Sequence, residues 1–334
     1  MAQNKLIFKD AVKARDAITE SQTKEIAKLY ADWADQIGER AKFYEKKQTA
    51  SAPLQAQQLR ELQKMIRETS QQVSNEVYNK TKQNVYMVAD QVVNSNVAWL
   101  KGLGFGGKGL DMAFSHIPDS TVRKLVTGQI YDSGWSLSKS IWSDNEHTLK
   151  EIYKVVASGL AQNQPIFEIA KNLESYVNPK RSKPWNLTAP DGTRIYPKKV
   201  DYNSQRLART LIHHGYQQSY IETTEKNPFI TGTRWISNGS RACPFCLEMH
   251  GTVFTKDDTV PLDHPNGMCI LEPMVVDDLV DKLADWVNTP DGTYPEIDEF
   301  ALNFGYEAIP VKSIEDYKNK YGTSTSSPAY WQQK

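Results

Sequence analysis

The chain has 334 residues, with 40 Lys+Arg against 40 Asp+Glu. That length accommodates two or three domains, and the neutral balance by itself points to neither a nucleic acid nor an acidic partner. A mean hydropathy of −0.59 and the absence of any apolar run near the ~20 residues that span a bilayer predict a polar, largely helical protein with no membrane partner; the opening MAQNKLIFKDAVKARD has no apolar core of a signal peptide.

Residues 1–101 read as a long helical hairpin or arm. Ile26, Leu29, Tyr30, Trp33 and Ile37 fall on one helical face. Pro53 suits a helix start, and neither Gly nor Pro occurs from Leu54 to Lys101. Leu59, Leu62, Ile66, Val73 and Val77 form a near-heptad seam that Val85, Val88 and Val92 resume. A helix of about 45 residues would be roughly 70 Å long. It would pack on the rest of the chain or hold a partner.

GLGFGGKG at 102–109 nearly fits a P-loop through Gly102, Gly107 and Lys108. Gly109 stands where the metal-binding hydroxyl is needed, and the preceding NSNVAWLK reads as helix rather than strand. The segment is expected to be a flexible hinge before a helical domain at 102–178. There Asp119 to Thr121 and Asp144 are expected N-caps, and two apolar stripes follow: Leu149, Ile152, Val156 and Leu160, then Ile166, Ile169, Leu173 and Val177.

Residues 179–200 are rich in proline and basic side chains and read as a loop or hairpin around Pro190-Asp191-Gly192. From 178 to 215, eight basic residues face two acidic ones, a formal +6; from 272 onward, 5 basic residues face 12 acidic ones, a formal −7. The neutral total hides a basic middle and an acidic end. Lys180, Arg181, Lys183, Lys198, Lys199, Arg206 and Arg209 are candidate contacts to double-stranded DNA; the same strip reads equally as a solvated face or as a partner of the acidic end. Residues 201–223 read as a helix, RWIS at 234–237 and TVF at 252–254 as short strands, and 275–288 as a short amphipathic helix.

The three cysteines, Cys243, Cys246 and Cys269, all lie in one short segment. An odd number so placed argues against a disulfide framework. C243-P-F-C246, 17 residues, then H264-P-N-G-M-C269 offers Cys243, Cys246, His264 and Cys269 as a tetrahedral zinc set. His250 is a rival fourth donor on a short span. Three buried reduced thiols are the plain alternative. A glutaredoxin-like reading fails on spacing: 14 residues separate Cys246 from Pro261, where a helix and a returning strand need roughly 30. An HNH-like nuclease is the weaker reading, because such a site needs a second metal-binding His or Asn shortly downstream on a helix and no histidine follows His264. Neither H-x-E nor H-E-x-x-H marks an open metal, so the site reads as structural rather than catalytic.

The order of features resembles the Mu protein F-like minor head proteins of tailed bacteriophages. It runs from Arg206, Arg209 and Thr210 on a helix, through Trp235 and Ser237 and the R-x-C-P-x-C knuckle, to Gly251, Val253 and Phe254, and ends at H-P-N-x-x-C. The specific match covers about 200–275. Two positions depart from the family pattern: Gly267 replaces a cysteine of the H-P-N loop, and His250 replaces an acidic residue before Gly251. The expected fold is mainly α, a long helical N-terminal region with a small α+β zinc-ribbon-like module at 179–275 and an acidic extension at 276–334. The resemblance implies a non-enzymatic minor capsid protein inside the head near the portal. It would act in procapsid assembly with portal, coat and scaffold proteins, contact packaged DNA, and take no small-molecule substrate. It would sit in the host cytoplasm during assembly. The alternatives are a zinc-dependent nuclease or hydrolase, and a zinc-stabilised DNA-binding module without a virion role.

Overall fold

The computed structural model describes residues 7–47, 51–180, 187–188, 194–195, 200–237, 239, 242–289 and 292–306. It is mostly helical, as the composition predicts, with a small antiparallel sheet toward the C-terminal end. In chain order the elements are α1 (Lys9–Glu45), α2 (Ala52–Gly102), α3 (Lys108–Phe114), α4 (Ile117–Thr127), α5 (Leu137–Ala161) and α6 (Ile166–Val177). Then come β1 (Leu187–Thr188), β2 (Arg194–Ile195), α7 (Tyr202–Glu225), β3 (Ile230–Ile236), α8 (Pro244–Met249), β4 (Val253–Thr255), β5 (Ile270–Val275), α9 (Leu279–Asn288) and α10 (Pro295–Phe304). Among the described residues no helix is long and apolar enough to cross a membrane.

The chain forms two compact units that cut across its linear order. The first comprises the described residues of Met1–Ile18, Gln83–Leu125 and Thr210–Lys334; the second those of Thr19–Lys82 and Val126–Arg209. The boundaries fall inside α1, α2, α4 and α7.

The second unit is built on the aliphatic seams. Ile26, Trp33, Ile37, Leu62 and Ile66 are buried there, while Leu29 and Leu59 are only half-buried. Two hydrogen-bonded polar groups interrupt the seam: Gln22 Nε2 donates to Thr81 Oγ1 at 2.7 Å, and Tyr30 OH lies 2.9 Å from Ser204 Oγ. Ile152 and Val156 of α5 are buried, as are Ile169, Leu173 and Val177 of α6. Leu160 is not; it lies exposed near the C-terminal end of α5. The expected caps also move. Ser136 caps α5, accepting from Lys139 N, and Asp144 lies inside that helix, where it accepts from Ser204 Oγ at 2.7 Å. Asp119 stands in the first turn of α4, where a carboxylate suits the helix dipole. β1 and β2 form a two-stranded antiparallel ladder, Leu187 opposite Ile195.

The first unit packs α7 and the second half of α2 with a three-stranded antiparallel sheet in the order β4-β3-β5. Trp235, Tyr216, Tyr220, Phe229 and Phe105 are buried in its core. The glycine-rich segment is not a hinge. Phe105 is fully buried against Phe229, Phe300 and Tyr306, with ring centroids 5.1–5.2 Å apart. Gly107 N donates to Phe304 O at 2.7 Å, and a Cβ at Gly107 would collide with that same carbonyl. Glycine is there to let two backbones touch. The strand β5 carries Pro273, which suits an edge strand because proline has no N–H for a second neighbour. Neither β5 nor α10 is expected from the sequence pattern.

Candidate metal centre

The sheet register explains why cysteines far apart in sequence meet. Ile236, the last residue of β3, pairs with Ile270, the first of β5. The chain leaving β3 and the chain entering β5 therefore lie at one end of the sheet. Cys243 and Cys246 follow β3, and Cys269 immediately precedes β5. Pro244 opens the short helix α8, and Cys243 caps it: its sulfur accepts from Cys246 N at 3.4 Å. That amide, together with the nearby His264, holds the Cys243 thiol below its ordinary pKa despite some burial. Burial pushes the Cys246 thiol well up, and the neighbouring cysteines and Asp263 add to the shift.

Donor atoms of the segment fall into two overlapping trios, each mutually within 4.8 Å: Cys243, Cys246 and His264, and Cys246, Asp263 and Cys269. Cys246 belongs to both. All four donors expected from the sequence are thus at the site, and the three cysteines are free thiols. The donor chemistry fits a borderline divalent cation. His264 Nδ1 donates to Pro265 O at 3.0 Å, which leaves Nε2 as its open nitrogen. Burial lowers the proton affinity of His264, but the Pro265 carbonyl and the charges of Asp263 and Cys243 outweigh it and raise its pKa. His250 is not in the cluster; its Nδ1 accepts from Ser237 N at 3.1 Å.

The residue at the centre, Asp263, is absent from the expected set. Its side chain is fully buried, and each of its polar atoms has a partner. Oδ2 accepts from His213 Nε2 at 3.0 Å and from Cys269 N at 2.9 Å. Oδ1 accepts from His264 N at 2.8 Å and from the Cys246 thiol at 3.6 Å. Its backbone N–H donates to Gln217 Oε1 at 2.9 Å, and its carbonyl accepts from His214 Nε2 at 2.8 Å. Burial alone would raise its pKa; the hydrogen bonds from His213 and the two amides reverse that and hold it well below the usual carboxylate range.

Behind His213 lies Arg15, 1% exposed, from α1. Its Nη1 is 3.2 Å from His213 Nδ1 and 3.3 Å from Cys269 O, and its Nε and Nη2 bond Asp16 Oδ1 at 2.9 and 2.7 Å. Arginine is a donor only, so His213 Nδ1 accepts and Nε2 carries the proton toward Asp263. Burial brings the His213 pKa down to about 4, against the pull of Asp263, so the ring is neutral near pH 7. The buried polar face of α7 is the signal that sequence reading passed over. Thr210, His213, His214 and Gln217 recur at helical spacing and are all buried, and Thr210 Oγ1 holds Asn266 N at 3.1 Å.

Of the seven basic residues expected to meet DNA, Arg181, Lys183, Lys198 and Lys199 lie outside the described residues. Lys180 is exposed just after α6, and Arg206 and Arg209 lie about one turn apart in α7. Comparison with known proteins adds no relative: no family model, curated protein or solved structure matches the chain.

Proposed function

We propose that this chain is a minor head protein of a tailed bacteriophage, whose cysteine cluster is a closed structural zinc site rather than a catalytic one. One observation carries the reading: from Thr210 to Cys269 the described motif residues fall in the first unit and have complementary structural jobs. Thr210 holds the H-P-N loop, Trp235 fills the sheet core, Ser237 holds His250, and Cys243 caps the knuckle helix. Such a module stabilises itself with metal and presents its surroundings to other proteins. The three cysteines and one further donor would hold the ion, and its chemistry is to cross-link β3, the knuckle and β5. Four protein donors would close the coordination shell, which favours scaffold over hydrolase.

In this reading the protein works inside the head near the portal. It meets portal, coat and scaffold proteins during assembly in the host cytoplasm, and the basic residues between 180 and 209 touch packaged DNA. The test is to tag the chain in its phage and analyse purified particles by quantitative mass spectrometry. A few copies per head, lost from portal-less particles, is the expected result; absence from heads and procapsids would reject it. For the metal, elemental analysis should find about one zinc per chain, and chelation should open the first unit. Purified protein that cleaves DNA would favour the nuclease instead.

A further inference from the structure

We propose that the fourth donor to the metal is Asp263, through Oδ1, alongside Cys243, Cys246 and Cys269, and that His264 stays outside the coordination shell. The inference rests on reading the cluster as a metal site and assigns its last ligand.

Two donors compete for that place, and they lie close together: His264 Nε2 is 3.7 Å from Asp263 Oδ1. Their settings differ. The His264 side chain is 40% exposed, while that of Asp263 is fully buried. Asp263 forms the buried trio with Cys246 and Cys269. Its Oδ1 lies 3.6 Å from Cys246 Sγ. Zinc–sulfur and zinc–oxygen bonds of about 2.3 and 2.0 Å meeting at a tetrahedral angle place the two ligand atoms about 3.5 Å apart. The carboxylate is therefore already at coordinating distance from a ligand sulfur.

Charge leads to the same assignment. A cysteine ligand gives up its proton on metal binding. The Cys246 thiol is what Oδ1 accepts from on that side, so without a shared cation a buried sulfur anion and a buried carboxylate would stand in contact. A like-charged buried pair is costly. One ion bound to both removes that cost. The rest of the carboxylate is fixed as ligand carboxylates are fixed by their outer partners: Oδ2 takes the His213 N–H and the Cys269 amide, and Arg15 stands behind His213.

Gly267 makes the placement possible. A Cβ built there lands on the Asp263 carboxyl carbon and both of its oxygens. The loop turns through Asn266 at φ +64° and closes with Gly267 N donating to His264 O at 2.8 Å. Position 267 thus has no side chain because Asp263 fills the space one would occupy.

X-ray absorption on the zinc-loaded wild-type chain decides this without any variant. Three sulfurs and one light oxygen, with no imidazole multiple scattering, is the expected shell; three sulfurs with an imidazole would overturn it. Competition with a chromophoric chelator gives a second reading. Asp263→Asn should weaken zinc by more than the about 10–100-fold that losing an outer-shell partner costs, whereas His264→Ala should change it by less than about threefold. The reverse order would overturn the assignment. A wild-type chain that takes up no zinc would instead sink the metal reading itself.

Discussion

The two units bury polar groups in opposite ways. In the second unit they form short chains set into an aliphatic seam, as with Gln22 and Thr81, or Tyr30, Ser204 and Asp144. In the first unit they converge on one residue, Asp263: its carboxylate accepts from His213, the Cys246 thiol and two amides, while its backbone carbonyl and N–H are held by His214 and Gln217. A seam distributes its energy over many methyl groups, so a single loss costs one cavity. A convergent network places it on one residue, and removing its carboxylate leaves four donors unsatisfied at once.

The largest expected effect tests that difference directly. Asp263→Ala should cost the first unit about 3–5 kcal/mol, because four donors lose their common acceptor. Hydrogen exchange should rise across β3 and α7 while the Leu62–Ile66 stretch keeps its protection. Equal protection in β3 would show that the network is dispensable. Next, Ile66→Ala should cost the second unit about 2–5 kcal/mol through its cavity, measurable as faster exchange along α1 and α2 within that unit, with zinc content unchanged. Loss of zinc in that variant would blur the contrast. Gly107→Ala, which forces a methyl against the Phe304 carbonyl, should cost about 1–3 kcal/mol by overpacking, read from the first unit's denaturation midpoint.

The smallest effect is a pH slope in the second unit. Burial raises the Asp144 pKa above 3.8, and the Ser204 hydroxyl offsets part of that. A carboxyl whose folded pKa is raised gives stability that is fully present below its unfolded value and is lost as pH rises through the folded one. Stability of the second unit should therefore fall as pH climbs from about 4 through that raised value, and Asp144→Asn should flatten the slope. An unchanged slope would mean that Asp144 is solvated in solution.

How much of this was legible follows from the same contrast. The seams from Ile26 to Ile37 and from Leu62 to Val92 show themselves in sequence because helical periodicity is local. The CxxC knuckle is equally local, and its partners His264 and Cys269 are near enough to be guessed. Asp263 stood beside them unassigned, since a lone aspartate in a loop looks solvated until its burial is known. His213 and Arg15 lie 50 and 248 positions before Asp263, and no periodicity links them to it. The glycine-rich segment misled for a related reason: glycine marks both loose hinges and tight contacts, and only the Phe304 carbonyl against Gly107 tells which applies.

The sequence by itself determined the long helices, the clustering of three thiols and the position of the knuckle, because each depends on side chains a few residues apart. The tertiary structure decided which residue sits among those thiols. The pairing of Ile236 with Ile270 brings the cysteines to one end of the sheet, α7 turns two histidines toward them, and Gly267 leaves the space into which Asp263 fits. Burial and close approach are properties of the folded chain, and they turn an ordinary loop aspartate into the centre of the site.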